Sequence, residues 1–419
     1  MKKKFFIKSV FFLIFLLSNF SIFSQNNTSS PYSMFGIGDL ENKKFGISNA
    51  MGGVGIGVRN PYILNFTNPA SYSSMDTLTF LFSVGIKNKI TISETENDET
   101  LTNDMNLHHL SFGFPVIFKK WYVSCGLLPY SSIGYDINYN SETDNNDDIK
   151  YTYQGVGNLN KVYFTNTFLL KEKFSFGLNA SYMFGSIEKI KLVQPEDINS
   201  WDLKTNRKTQ ISDVFFDFGF QYTDSLKDFE YTLGFTFANK TELKAEVNKV
   251  SEQSFFNLLD TLENSIYEKG DITLPNSFGL GFILRKKNKT TWGIDFAYEN
   301  WKESKFFGEN NDLENSFSLM TGGEYVPNYR SIKYFQRVKY RYGAHFSKSY
   351  LKLNGENIFD YGLSFGFGFP LSRKKSTINI SFAIGQRGTT KQNLIKESYA
   401  VININFSLHE NWFTRRQFN

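Results

Sequence analysis

From Asp76 onward, apolar and polar positions alternate along the chain, which is the period of a strand with two unlike faces. Tyr361, Leu363, Phe365, Phe367 and Phe369 share one face, while Gly362, Ser364, Gly366 and Gly368 share the other. Ala400, Ile402, Ile404, Phe406 and Leu408 alternate in the same way with Val401, Asn403, Asn405 and Ser407. The second face is small and polar, which suits a barrel interior better than a packed sandwich core. Fourteen such segments fit between residues 77 and 409; the third spans 121–138, the seventh 229–248, the eighth 270–284 and the eleventh 332–345. The connections alternate short and long. Lys119-Lys120, Lys171 to Lys173 and Val326 to Ser331 are short; Glu94 to Met105, Ser251 to Lys269 and Phe346 to Asn354 are long. An even strand number with this rhythm is the signature of a bacterial single-chain barrel, with short turns toward the periplasm. The pattern therefore predicts an all-β fold: a 14-stranded antiparallel transmembrane β-barrel in the outer membrane of a Gram-negative bacterium, both termini periplasmic. A soluble sandwich or propeller is the competing architecture, and its exposed Phe rows would put large apolar patches in water.

Composition sharpens the picture. The chain has 419 residues, 45 of them Phe and 23 Tyr, and a barrel whose outer wall faces lipid accommodates that aromatic load. A net charge of +5, dispersed along the chain, does not point to nucleic acid. Lys2, Lys3, Lys4 and Lys8 precede the apolar run Val10 to Leu17, so residues 1–24 read as a signal peptide cut before Gln25. The alternative, an uncleaved anchor helix, asks for a longer run. Cys125 is the only cysteine, which excludes an intrachain disulfide and a multi-cysteine metal site.

Residues 25–76 show no sustained alternation and are rich in glycine, including Gly36, Gly38, Gly53 and Gly55. Such a segment ahead of a barrel is best placed inside it as a plug, or hatch. Gly52 to Gly57 lacks the spacing, the Lys-Ser or Lys-Thr pair and the following helix of a phosphate loop. Asn68-Pro69-Ala70 reads locally as a turn entering the first strand. With the glycines before it and a strand after it, the segment resembles the FadL/TodX family of outer-membrane channels for hydrophobic compounds. Pro31-Tyr32-Ser33 through Gly36-Ile37-Gly38 resembles a Bacteroidota branch of such barrels, as do Asn158-Leu159-Asn160 and Gly385-Gln386-Arg387-Gly388 more weakly. The resemblance implies fourteen strands, an N-terminal hatch with an Asn-Pro-Ala segment, and a kinked third strand that opens a lateral hole. Pro129 and Gly134 fall in the third strand and are the candidates for that opening. The plain alternative is that Pro129 already lies in the outer rim, since proline is tolerated at edges and bulges.

Lys333, Arg337, Lys339 and Arg341 alternate with Tyr334, Gln336, Val338 and Tyr340 and are expected to face the lumen, because arginine at the lipid midplane costs about 2–4 kcal/mol. Asp295, Glu299 and Glu324 fall on inner faces of neighbouring strands, so the charges either pair and stiffen the barrel or offer a handle for a carboxylate. Asp144, Asn146 and Asp148 have only part of a calcium-loop spacing, with Ile149 in place of the glycine and Gly155 in place of the closing glutamate, and read as a solvated polar loop rather than a calcium site. His108 and His109 are adjacent in a strand, so they should point to opposite faces and not share a metal. No spacing supports catalysis, a cofactor or a metal. Two functions remain open. One is a channel for passive uptake of small hydrophobic compounds such as long-chain fatty acids, with outer-membrane lipid and the ligand as partners. The other is a non-transporting barrel subunit of an outer-membrane protein assembly or secretion complex. Residues 77–409 would then be barrel and 410–419 a periplasmic tail, whose Trp412, Phe413, Arg415 and Arg416 suit a protein partner.

Overall fold

The computed structural model describes residues 28–41, 44–142, 148–197, 199–256, 258–286, 289–306, 313–371 and 375–412. Fourteen antiparallel wall strands close into one barrel. In chain order they are β1 (Thr79–Glu94), β2 (Glu99–Ile117), β3 (Trp121–Glu142), β4 (Asp148–Leu170), β5 (Phe174–Pro195) and β6 (Asp202–Leu226). β7 comprises Phe229–Ala238 and Thr241–Phe255, and β8 comprises Leu258–Leu274 and Ser277–Lys286. β9 (Thr290–Glu299), β10 (Ser316–Tyr325), β11 (Lys339–Leu353), β12 (Glu356–Pro370), β13 (Thr377–Gly388) and β14 (Lys396–Asn411) complete the wall. β14 pairs with β1 from Lys396 opposite Glu94 to Asn411 opposite Thr79, which closes the ring. The alternation behaves as the pleat demands: on β12, Leu363 is 61% exposed on the outer face while Ser364 is 5% exposed inside.

The strands outlast the apolar band. Glu94 to Met105, Ser251 to Lys269 and Phe346 to Asn354 are largely paired hairpin rather than loop, with Leu258 opposite Phe255 at one tip. Glu242, Lys244 and Glu246 face outward there and are exposed, so the wall continues above the lipid in water. Polar residues ended the hydrophobic signal without ending the hydrogen-bond ladder. The reverse happens at the eleventh strand, which starts at Lys339; Tyr334–Arg337 instead form a helical turn in a connection running from 326 to 338. β8 is interrupted at Pro275, which has no N–H to give to the ladder.

Residues 28–78 fill the barrel as the plug, with three 3-10 turns at Pro31–Met34, Ser48–Met51 and Pro69–Ser74. The apolar core is the plug–wall contact itself. Phe45, Met51, Val54 and Ile63 pack with Ile283 of the wall; Leu64, Tyr72 and Met75 pack with Tyr122, Leu128 and Tyr163. The described ends lie in opposite halves of the barrel. Ser29 and Ser30 bond to Asp104 and Glu397 in the half nearer the long hairpins, whereas Trp412 N donates to Leu78 O at the short-turn end. The signal segment 1–24 and the tail beyond Trp412 lie outside the described residues.

Candidate functional site

The site is the plugged lumen. Asn68 caps the turn Pro69–Ser74: its Oδ1 accepts from Ala70 N at 3.0 Å. Its Nδ2 donates to Ile56 O at 2.9 Å within the plug and to Phe220 O at 3.2 Å and Phe235 O at 3.3 Å on the wall. Thr167 Oγ1 donates to Pro69 O at 2.6 Å. The wall meets this backbone with glycine. A Cβ at Gly219 would stand 2.1 Å from Asn68 Oδ1, and one at Gly177 2.3 Å from the Pro69 carbonyl carbon. The same fit recurs around the ring, where a Cβ at Gly343 would stand 2.2 Å from Gly52 N and one at Gly234 2.3 Å from Ile56 O. Asp295 is buried, and its Oδ2 accepts from Gly55 N at 2.6 Å and Ile56 N at 2.7 Å. The small inner faces are thus a seat for the plug rather than the lining of a water-filled bore.

The wall parts beside the third strand. β2 pairs with β3 from Ile117 opposite Trp121 only as far as Leu110 opposite Leu127. Beyond that point β2 continues against β1 and β3 continues against β4. The plug's N-terminal segment stands in this breach. Ser29 donates from N and Oγ to Asp104 of β2 at 3.1 and 2.7 Å. On the other side Gly134 N donates to Ser33 Oγ at 3.1 Å, and Asp39 and Leu40 pair with Ser132 and Ser131. Gly38 makes the close approach with φ +98°, where a Cβ would stand 2.6 Å from Ser132 O.

Ion pairs fasten the same segment. Asp39 meets Arg387 at 2.6 Å and Glu41 meets Lys87 at 2.6 Å. Ser30 bonds to Glu397, and Tyr32 to the carbonyl of Ile395. Two cavities flank this network. One, of about 130 Å³, is lined by His108 and by charges including Lys89, Asp104, Asp360 and Arg387. The other, of about 210 Å³, is lined by Ile56, Tyr130, Phe237, Phe278 and Phe317 together with Asp217 and Glu299. Leu40, Glu41 and Lys44 line both and form the partition between them.

A family model described as BamG matches residues 6–419. The chain belongs to the BamG family. No curated relative matches it. Among solved structures, a Pseudomonas aeruginosa FadL homologue is similar at 10% identity and TM-score 0.60, covering 89% of this chain and 99% of that one. The Pseudomonas putida toluene transporter TodX is similar at 16% identity and TM-score 0.56, with coverage of 89% and 99%. The Ralstonia pickettii toluene transporter TbuX follows at 14% identity and TM-score 0.55, with coverage of 87% and 98%. At these identities the likeness is one of fold: this BamG-family chain is a FadL-type barrel.

In this BamG-family chain, Pro129 pairs with Asn160 of β4 across a bulge before Ser131, and it and Gly134 border the breach. Glu324 meets Arg341 at 2.8 Å inside the wall, and Arg341 also donates to Asn379 Oδ1 at 2.8 Å. Glu299 accepts from Trp301 Nε1 at 2.7 Å, and Lys339 opens β11. Arg337 is the exception among the expected lumen charges. It sits in the helical turn outside the ladder, with Lys333 before it, because a Tyr/Arg alternation reads as strand even where the chain has left the wall. The histidines also differ from expectation. Gly85 opposes His109 and Ile86 opposes Leu107, so a bulge leaves His108 over and brings both rings inward, with Nδ1 atoms 2.8 Å apart. Among the described residues no group of three His, Cys, Asp or Glu is placed to hold a metal. Asp144 and Asn146 lie outside the described residues. Sequence reasoning missed Asp39, Glu41 and Glu397, whose pairing with distant strands leaves no local pattern. The inward glycines opposite the plug were visible, and their spacing on one strand face was the available signal.

Proposed function

We propose that this outer-membrane barrel acts as a closed subunit of a protein assembly or secretion complex. The observation that carries the reading is the stoppered interior. The plug's backbone fits against wall glycines, and its first described segment fills the breach between β2 and β3. A hydrophobic passenger moving between the two cavities would have to displace Leu40, Glu41 and Lys44. It would strip water from charges and offer no hydrogen bond in return. Such an interior suits a rigid scaffold, whose working surfaces are the outer wall and the projecting hairpins. Mild extraction followed by sedimentation tests it: the expected species is a stable protein complex of several subunits, and a lone barrel carrying only lipid is the contrary result.

A second reading is a passive uptake channel for small hydrophobic compounds, in the manner of the toluene transporters of similar fold. The breach beside Pro129 favours it, as do Tyr130 and Ile56, the inward apolar side chains that line the larger cavity. In that case the strap of residues 28–41 would have to release before a ligand left sideways. The channel reading extends to monoaromatic hydrocarbons as readily as to long-chain fatty acids.

A further inference from the structure

The connection between β10 and β11 is out of character for its end of the barrel. Its counterparts there are short, such as Lys171 to Lys173, while this one runs from 326 to 338. It carries Arg330, Lys333 and Arg337 and no acidic residue. Its apolar side chains are not folded away: Ile332 is 100% exposed and Phe335 73%. Both ends are anchored, since Val326 and Val338 are buried.

Its placement decides what these residues face. Tyr340 lies on the lipid side of β11, because Arg341 next to it points inward and Tyr342 beyond is exposed. The Tyr340 hydroxyl donates to the Phe335 carbonyl at 3.1 Å, and Tyr334 Oη donates to Pro370 O at 3.3 Å. The helical turn is therefore draped over the outer rim of the wall, beside Tyr325 and Phe367, where an aromatic girdle marks the lipid–water border. Bare aliphatic and aromatic groups stand next to cations that meet tyrosine rings, Arg330 over Tyr329 and Arg337 over Tyr334, and no carboxylate among the described residues, which is the composition of an interfacial anchor.

We infer that residues 326–338 form a foot that binds the anionic phospholipid leaflet on the short-turn side. Ile332 and Phe335 enter the acyl layer, and Arg330, Lys333 and Arg337 meet phosphate headgroups. The inference holds whether the barrel is a closed subunit or a channel. An acidic protein surface is the rival occupant, but it has no need of side chains aimed along the outer face of the wall.

The test uses the full barrel in lipid nanodiscs. Phe335→Trp adds one reporter to the five native tryptophans, whose signal is subtracted with the unsubstituted protein. Ile332→Trp serves as a second reporter. Brominated phosphatidylglycerol should quench either reporter about fivefold more per mole than brominated phosphatidylcholine. The triple variant R330Q/K333Q/R337Q should bring the two lipids to near parity, with heat-modifiable migration of the barrel unchanged. Absence of quenching by both lipids would put the foot in water. A preference that survives neutralisation would remove the cations from the account. Loss of an associated protein from the triple variant, without quenching in nanodiscs, would give the surface to a protein. Each of these three results overturns the inference.

Discussion

Gly134 N, on the third wall strand, donates to the hydroxyl of Ser33 in the plug at 3.1 Å. The wall strand's backbone thereby finds in a plug side chain the partner that the neighbouring strand no longer supplies, and the plug becomes part of the wall. Strap and breach are one unit: removing residues 28–38 should expose an unpaired strand edge inside the seam. The expected outcome is a barrel that still shows heat-modifiable migration but conducts ions in planar bilayers, where the full chain is closed. Unchanged conductance would mean that the strap does not seal the seam.

The Asp39–Arg387 pair should act as an acid-sensitive clasp. Burial opposes ionisation of Asp39, but Arg387 and Lys89 outweigh it and hold the carboxyl below its ordinary value. A depressed folded value means that the stabilisation is complete at neutral pH and is lost as pH falls below about 4. Asp39→Asn should lower stability by up to about 3 kcal/mol, because it removes the carboxylate paired directly with Arg387 in a partly buried site and leaves only Glu397 and Asp360 nearby. Thermal melts in detergent between pH 7 and pH 3 should show the wild type losing stability on acidification and the variant changing less.

The glycine seat predicts intolerance at positions that face no ligand. Gly219→Val would drive its side chain into Asn68, at a cost of about 1–3 kcal/mol or more. The barrel should fold while the plug loosens, so that limited trypsin cuts at Arg59, which is shielded in the wild type. Equal resistance in variant and wild type would contradict the fit.

Much of this architecture was legible in the chain. Rows such as Tyr361 to Phe369 alternate because one face meets lipid and the other meets the plug, and that contrast survives in the sequence. What was hidden depends on partners far away in sequence. His108 joins His109 inside because a bulge shifts the register by one residue, and nothing in the two letters announces it. The hairpin of residues 251–269 reads as loop because its apolar residues come in adjacent pairs such as Phe255-Phe256 and Leu258-Leu259 rather than in alternation, although the ladder runs through it. Arg337 looked like lumen because Tyr and Arg alternate, although the chain turns out over the rim. Pro129 lies on the strand that borders the breach, but nothing local in the sequence points to Ser29 and Ser33, which bond on either side of it.

Pro129→Val separates the two readings at the breach. A β-branched residue there offers a ladder donor and strand propensity. In a closed subunit the substitution should leave growth and the associated complex unchanged. In a channel it should reduce uptake of toluene or a long-chain fatty acid, measured with labelled compound in a complemented strain.

The most direct measurement depletes this protein in its native cells and follows two quantities together: the abundance of other outer-membrane and secreted proteins, and the uptake rate of labelled toluene and a long-chain fatty acid. A closed assembly subunit predicts a broad fall in those proteins before uptake changes. A prompt loss of uptake with an intact outer-membrane proteome would contradict it.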